Sequence, residues 1–478
     1  MGEEESLPLG AQQPKEGGGN GDEDEAKHFR DVCRSYQQYA TFHEAKQRGV
    51  DGRLRRLLLA SGAASFSGDG SDASEGEIIE PTVESILPPS MKPNSSESKV
   101  RQKQLLDATI QNQYFLDWVL KYSGVPTSQE FIRLRESSGG SFEWVTEEQA
   151  SKVDSVLKSV ARDWSAECKD ERAVAYDPII EALETHLPVK DFYGSNCVPR
   201  VAVPGSGLGR LAWEIYSRGY SVQGSDFSLP MLLASDFLLN GCGIPDEDVV
   251  GGSAPPAVSY RRFNISPWIA ETKNQLSFEN RVRPLIVPDV NPSSLLFAPA
   301  SGESPSPEFT MLAGDFLQLY SNFLPVRDVD GTNGGQSNLR AENKFHAVAC
   351  SFFLDTAPSL PHYLITIYHM LEDGGLLVSF GPLMYHWSGH GAVLPGDLNE
   401  RESEESSVIS AYRRRTMHLD QRYLSSIDYT WDDLKHMVER CGFEILEENL
   451  KVPANYASDS RSMMTVSYDC AFLVARKT

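Results

Sequence analysis

The run Val198-Pro199-Arg200-Val201-Ala202-Val203-Pro204-Gly205-Ser206-Gly207-Leu208-Gly209-Arg210 begins apolar and β-branched and ends on three closely spaced glycines. Directly after it, residues 211–217 take up helical spacing. The run therefore reads as a buried strand, a tight turn and a helix. A turn of this kind lets backbone N–H groups come close to a ligand beside the positive helix terminus. A purely structural tight turn fits the same residues, so its neighbours must arbitrate.

Working outward, strand signals recur at 220–224, 309–312, 345–354 and 374–380, with helices at 211–217 and 361–371 between them. A helix at 431–441 and strands at 443–446 and 470–475 close the chain. This alternation predicts an α/β fold with a doubly wound, largely parallel sheet. Upstream of a helix at 179–187 the pattern is helical. Phe29, Val32, Cys33, Tyr36, Tyr39 and Ala40 share one spacing within 25–61, and Ile110, Tyr114, Phe115, Trp118 and Val119 share another within 105–122. A third helix follows Thr146-Glu147-Glu148 through Val153, Val156, Leu157, Val160, Ala161 and Trp164. The expected division is a disordered acidic tail at 1–25, a helical region at 26–170 with a flexible segment at 62–100, and an α/β domain at 171–478. Loop insertions are expected at 241–262, 298–308, 326–342 and 388–425.

The 478 residues are 40% hydrophobic, enough for a sizeable core, and no apolar run reaches the ~18–20 residues of a membrane helix. Sixty-seven acidic against forty-four basic side chains give a net charge of −23, a field that repels phosphate backbones. Neither nucleic acid nor membrane is an expected partner, and the tight basic run Arg413-Arg414-Arg415 reads as a solvated loop. Seven scattered cysteines without a C-x-x-C exclude a zinc ribbon and point to a reducing compartment. The first residues carry no basic-then-apolar signal, so the expected location is the cytoplasm, with the nucleus as a second compartment. Met1-Gly2-Glu3-Glu4-Glu5-Ser6 fits the myristoylation pattern in form, but three glutamates would repel an anionic membrane and lipidation is not expected.

Gly207-x-Gly209-x-x-Ala212 also satisfies the dinucleotide pattern, which keeps an NAD or FAD oxidoreductase in view. Asp226, at the end of the next strand, suits the ribose of either NAD or S-adenosylmethionine. Ala313-Gly314-Asp315-Phe316 then sets an acid and an aromatic where an adenine amine and ring face would lie. Leu371-Glu372-Asp373-Gly374-Gly375 leads into a strand, and the domain ends strand, long loop, strand. That order matches a class I methyltransferase, whose Rossmann-like sheet inserts its last strand antiparallel. A dehydrogenase would more often repeat its nucleotide-binding half. A silent binding scaffold would lack the cofactor acid or the glycine loop, and both are present.

Further stretches are more specific: Ala161-Arg162-Asp163-Trp164-Ser165, Pro288-Asp289-Val290, Phe352-Phe353-Leu354-Asp355-Thr356-Ala357, Gly381-Pro382-Leu383-Met384-Tyr385-His386, Ser462-Met463-Met464 and Tyr468-Asp469-Cys470. Together with the glycine loop they resemble the carnosine N-methyltransferase family, which methylates the imidazole of a histidine-containing dipeptide to give anserine. The resemblance implies S-adenosylmethionine as cofactor, a small histidine-containing peptide as substrate and a homodimer. It implies that Arg162 reaches the cofactor carboxylate, that Gly205 and Gly207 contact the cofactor, that Asp226 holds the ribose, and that Asp315 and Phe316 hold the adenine. Ser159 and Ser351 stand where the family usually has glutamine and cysteine beside the cofactor, and Asp226 where it usually has glutamate. Asp355, His386 and Tyr468 would bind the dipeptide, with Phe352 walling the imidazole. A protein histidine or another small azole is the alternative substrate.

Methyl transfer from a sulfonium is an in-line displacement that needs an oriented lone pair and exclusion of water. A neutral imidazole has the lone pair, and a carboxylate accepting its far N–H selects the tautomer and stabilises the imidazolium that forms. Asp355 is the candidate for this catalytic role. Each candidate also has a plainer reading: Asp355 as cap of the following helix, His386 as a core histidine, Tyr468 as a packing aromatic, Trp164 and Trp213 as core. No metal site is expected.

Overall fold

The computed structural model describes residues 20–64, 82–138, 143–193, 197–243, 260–296, 306–324, 344–388 and 426–478. Among the described residues six α-helices come first: α1 (Asn20–Gln37), α2 (Tyr39–Ala64), α3 (Val83–Ile86), α4 (Ser96–Tyr122), α5 (Ser128–Ser138) and α6 (Glu147–Trp164). Next come α7 (Lys169–His186), β1 (Arg200–Pro204), α8 (Arg210–Tyr216), β2 (Ser221–Asp226) and α9 (Leu229–Asp236). A small antiparallel pair, β3 (Phe263–Ile265) and β4 (Leu285–Val287), encloses α10 (Phe278–Val282). The remainder runs α11 (Ser293–Leu296), β5 (Phe309–Ala313), α12 (Phe316–Leu319), β6 (Phe345–Ser351), α13 (Leu360–Met370), β7 (Leu371–Gly381), α14 (Trp431–Arg440), β8 (Phe443–Asn455) and β9 (Ser467–Lys477).

Seven strands form one sheet in the order β5-β2-β1-β6-β7-β9-β8. The first five are parallel, and β9 runs against both β7 and β8. This is the class I methyltransferase arrangement, as the alternation of strands and helices predicts. It leaves no second nucleotide-binding half among the described strands, which separates it from the dehydrogenase plan. The order reverses between β1 and β6, so the crevice for a ligand lies beyond their carboxyl ends.

Period-two alternation explains why these runs are almost wholly apolar. Val201 and Val203 of β1 face a core built with Ile179, Leu183, Leu211 and Ile215 from α7 and α8. Ala202 faces the opposite core, with Leu364 and Ile367 of α13. Val378 and Leu377 of β7 divide the same way.

The helical layer differs from the expected division in informative ways. Its core takes in Phe237, Leu238, Phe263, Ile265, Trp268, Leu285 and Val287 alongside Tyr36, Phe115, Leu157 and Trp164, so the 26–170 helices are completed by later residues. Buried Asn112 joins the two parts: its amide donates to the Ser266 carbonyl at 3.0 Å and accepts from the Ser266 N–H at 2.7 Å. The helix begins at Asn20, ahead of the expected boundary at 25. Within the expected flexible segment, Val83–Ile86 is a short helix with a Thr82–Ser85 capping box, Pro89–Met91 is a 3-10 turn, and α4 starts at Ser96 with Ser95 as its cap. α7 starts ten residues before the expected 179 and passes through Pro178; Val174, whose carbonyl the proline cannot bond, lies on the exposed face. Residues 1–19 with the myristoylation pattern, 65–81, and 244–259, 297–305, 325–343 and 389–425, which take in most of the expected insertions, lie outside the described residues. No described helix is long and apolar enough to cross a membrane.

Candidate functional site

The glycine turn follows β1 and is held open by three left-handed residues, Gly205, Gly207 and Gly209 at φ +66°, +53° and +77°. A Cβ at Gly205 would stand 2.6 Å from the Phe353 ring, whereas one at Gly207 would meet nothing within 4 Å. Gly205 is thus fixed by packing, and Gly207 faces open space. Gly205→Ala is expected to be destabilised by roughly 1–3 kcal/mol more than Gly207→Ala, because it adds overpacking to the shared backbone strain. Thermal melts of the two variants check this; equal loss would contradict it.

Asp226 closes the turn from β2. Its Oδ2 accepts the Gly207 N–H and its Oδ1 the Ser228 N–H, both at 2.8 Å. Burial pushes this carboxyl up, and the same N–H groups pull it partway back. The Gly314 N–H bonds the Asp226 carbonyl at 2.9 Å, which ties the end of β5 to the same point. Asp315 then caps α12, its Oδ1 accepting from Leu317 and Gln318 N–H at 3.0 and 3.2 Å.

The C-terminal end of α6 reaches the turn from the helical layer. The Trp164 indole donates to the Leu208 carbonyl at 3.2 Å, and the Asp289 N–H bonds the Trp164 carbonyl at 2.8 Å. Asp289 is the hub of this contact. Its carboxylate accepts Arg172 Nη2 and Arg210 Nη1, each at 2.6 Å. Both arginines also donate to carbonyls in the Arg162–Ser165 segment. Arg210 further packs over the Trp164 and Trp213 rings at 4.9 and 5.4 Å. Arg162 itself is held by Asp163 through Nε and Nη2 at 2.7 and 3.2 Å, and its guanidinium lies 4.3 Å from the centre of the Tyr456 ring. Burial opposes its charge, and Asp163, Tyr456 and Tyr176 more than restore it.

These elements enclose a cavity of about 390 Å³ at the sheet's switch point. Ser159, Arg162, Gly205, Gly207, Asp226, Asp315, Phe316 and Ser351 all line it, so every expected cofactor residue converges there. The size falls in the range of small-molecule sites. Of the expected substrate residues, Phe352 and His386 line the cavity, while Asp355 and Tyr468 are not among the lining side chains.

Asp355 is nearly inaccessible, at 2% exposure, and is next in sequence to the lining residue Thr356. It does not cap α13, whose N-cap is Ser359. Its Oδ2 accepts the Met384 N–H at 3.0 Å, and its backbone carbonyl accepts the His386 N–H at 3.0 Å. Oδ1 is buried with no hydrogen-bond partner among the described residues. Burial pushes the Asp355 carboxyl up, against the opposing pull of the Met384 N–H and His386. Phe352, just after β6, adopts a left-handed φ of +52°, and Tyr385 does so at +42°. Two strained residues flanking one buried carboxylate match the clustering of backbone strain at functional sites. Tyr468 is half-buried and packs 6.4 Å from Phe352, whose other neighbours are Phe380 at 6.0 Å and Tyr456 at 4.8 Å.

Several lining residues escaped the sequence reading: Tyr456, Asn455, Trp387, Asp163, Glu171 and Tyr176. Asp163 sat inside a quoted motif and could have been found there. Tyr456 and Asn455 lie at the end of a strand predicted to stop at 446, which hid them.

A family model described as carnosine N-methyltransferase matches residues 142–478. The carnosine N-methyltransferase of Schizosaccharomyces pombe is 34% identical over 332 residues, which cover 70% of this chain and 72% of that protein. That of Rattus norvegicus is 31% identical over 326 residues, covering 68% of this chain and 63% of its own length. The matched stretch thus spans less than two thirds of the rat protein. Among solved structures, magnesium protoporphyrin IX methyltransferase from Synechocystis with bound SAH is 13% identical, with a TM-score of 0.28 over 73% of this chain and 95% of that one. TehB from Haemophilus influenzae is 10% identical, with a TM-score of 0.31 over 67% of each chain. The fold assignment rests on the strand order and not on these two structures. By the family model and the two relatives, the chain belongs to the carnosine N-methyltransferase family.

Proposed function

We propose that this chain transfers a methyl group from S-adenosylmethionine to an imidazole nitrogen of carnosine or a closely related histidine-containing small peptide. The observation that carries this reading is the convergence of all the expected cofactor residues on one cavity, in a chain of this family. The residues fit the cofactor: an open glycine turn for close backbone approach, Asp226 for the ribose hydroxyls, Asp315 and Phe316 for the adenine, Arg162 for the carboxylate. When bound, S-adenosylmethionine supplies an electrophilic methyl group on a sulfonium.

The chain's own residues then do the remaining work. Phe352 and His386 line the cavity, and an imidazole bound beside them would reach the buried Asp355 carboxylate once a lining side chain such as His386 moves aside. The partnerless Oδ1 of Asp355 is the acceptor for the imidazole N–H away from the reacting nitrogen. A buried acceptor without a partner costs roughly 1–3 kcal/mol, so a substrate N–H that fills it binds favourably. The same carboxylate fixes the tautomer and stabilises the positive charge that grows on the ring, where catalytic gain is largest. A homodimer in the cytoplasm and nucleus, implied by the family resemblance and the composition, belongs to the same proposal.

Thermal melts test the cofactor part. S-adenosylhomocysteine at about 100 times its Kd should stabilise the protein by roughly 2.7 kcal/mol, and NAD should not. Stabilisation by NAD alone would replace the methyltransferase reading with an oxidoreductase.

A further inference from the structure

We propose that Glu171 receives the ammonium group of the cofactor's amino-acid end, beside Arg162, which takes the carboxylate. This rests on the reading that the cavity holds S-adenosylmethionine. Glu171 lies in the first turn of α7 and lines the cavity. The Ser458 N–H approaches its Oε1 at 3.4 Å, which turns the carboxylate toward the strand end that carries Tyr456.

Charge at this end of the cavity does not balance. Asp163 holds the Arg162 guanidinium through two hydrogen bonds. Arg172 also lines the cavity, but its Nη2 is bound to Asp289. Among the described residues, Asp163 and Glu171 therefore share the Arg162 guanidinium. Burial pushes the Glu171 carboxyl up, Arg162 and the Ser458 and Ala457 N–H groups pull it down, and Asp163 pushes it up again. A partly buried carboxylate that shares the Arg162 charge with another acid favours a ligand that brings a positive charge.

An amino acid carries its ammonium and carboxylate on one carbon, so their receptors must be neighbours, as Arg162 and Glu171 are. The peptide substrate also has an ammonium, but its wall lies elsewhere. The Tyr456 ring has Arg162 on it at 4.3 Å and Phe352 against it at 4.8 Å, and the charged groups acting on Glu171 are Arg162 and Asp163. Glu171 therefore belongs with Arg162, Asp163 and the 457–458 backbone at this end of the cavity.

The test is calorimetric titration of S-adenosylhomocysteine and of its desamino analogue, which lacks only the ammonium, into wild type, Glu171→Gln and Glu171→Asp. Wild type should prefer S-adenosylhomocysteine by about tenfold or more, the scale of one hydrogen bond to a charged group. In Glu171→Gln that preference should collapse, and Glu171→Asp should keep part of it. A preference undiminished in Glu171→Gln would overturn the proposal. So would a second pattern, in which binding preference survives but the KM preference for carnosine over propionyl-histidine is lost; that places the substrate ammonium at Glu171. If wild type binds no S-adenosylhomocysteine at all, the cavity reading itself fails, an outcome distinct from the other two.

Discussion

Asp355→Asn is expected to bind S-adenosylhomocysteine as wild type does while losing roughly 10²- to 10⁴-fold in kcat. The amide keeps the shape and can still accept the Met384 N–H, but it cannot offer a negative charge to a forming imidazolium. Stability separates this loss from unfolding. A carboxyl whose folded pKa is raised binds its proton more tightly folded than unfolded. Its ionised form therefore weighs against folding as pH rises through that folded value. Removing the charge at neutral pH should leave Tm equal or higher. In the wild type the ionised form is the working one, so kcat should fall as pH drops through an Asp355 value above the ordinary ~3.9 of aspartate. A variant keeping a tenth or more of wild-type kcat would make Asp355 a structural carboxylate only.

The second large effect is expected at Asp289, a residue that touches no ligand in this account. Asp289→Ala removes the shared partner of Arg172 and Arg210, whose side chains are 5% and 4% exposed. Breaking a buried pair by deleting one partner costs roughly 3–5 kcal/mol, because the charge left behind remains desolvated. Arg210 retains Glu214 at 2.9 Å, so the larger share of the loss falls on Arg172. For a chain of this size Tm should fall by about three to five degrees. The arginines also hold the carbonyls of the segment that carries Arg162, so the stabilisation given by S-adenosylhomocysteine should shrink as well. Asp289→Asn, which can still accept hydrogen bonds, should lie between. A melt of Asp289→Ala within about one degree of wild type would contradict the clamp.

The strand-and-turn skeleton was legible because parallel strands buried on both faces leave continuous apolar runs, as in Val201–Val203 and 345–351. The carboxyl-end residues Asp226 and Asp315 followed from that skeleton, since each stands where a strand ends. What could not be read depends on contacts between distant segments. β8 continues past 446 as Glu447, Glu448 and Asn449, polar because they lie on an exposed edge strand, and nothing local signals that it carries on to Asn455, just before Tyr456. The partner of Arg172 is 117 positions away, and α6 needs residues 263–287 to complete its core. Asp355 was found by motif, yet its burial between the left-handed residues Phe352 and Tyr385 is something no apolar pattern encodes.

The most direct measurement is methyl transfer from labelled S-adenosylmethionine, offered to carnosine, free histidine, Gly-His and a protein extract, with Asp355→Asn run in parallel. The account predicts label on carnosine that collapses in the variant. Label on protein alone would retain the enzyme and overturn the substrate. Silence with all four, in a preparation that binds S-adenosylhomocysteine, would contradict the central claim.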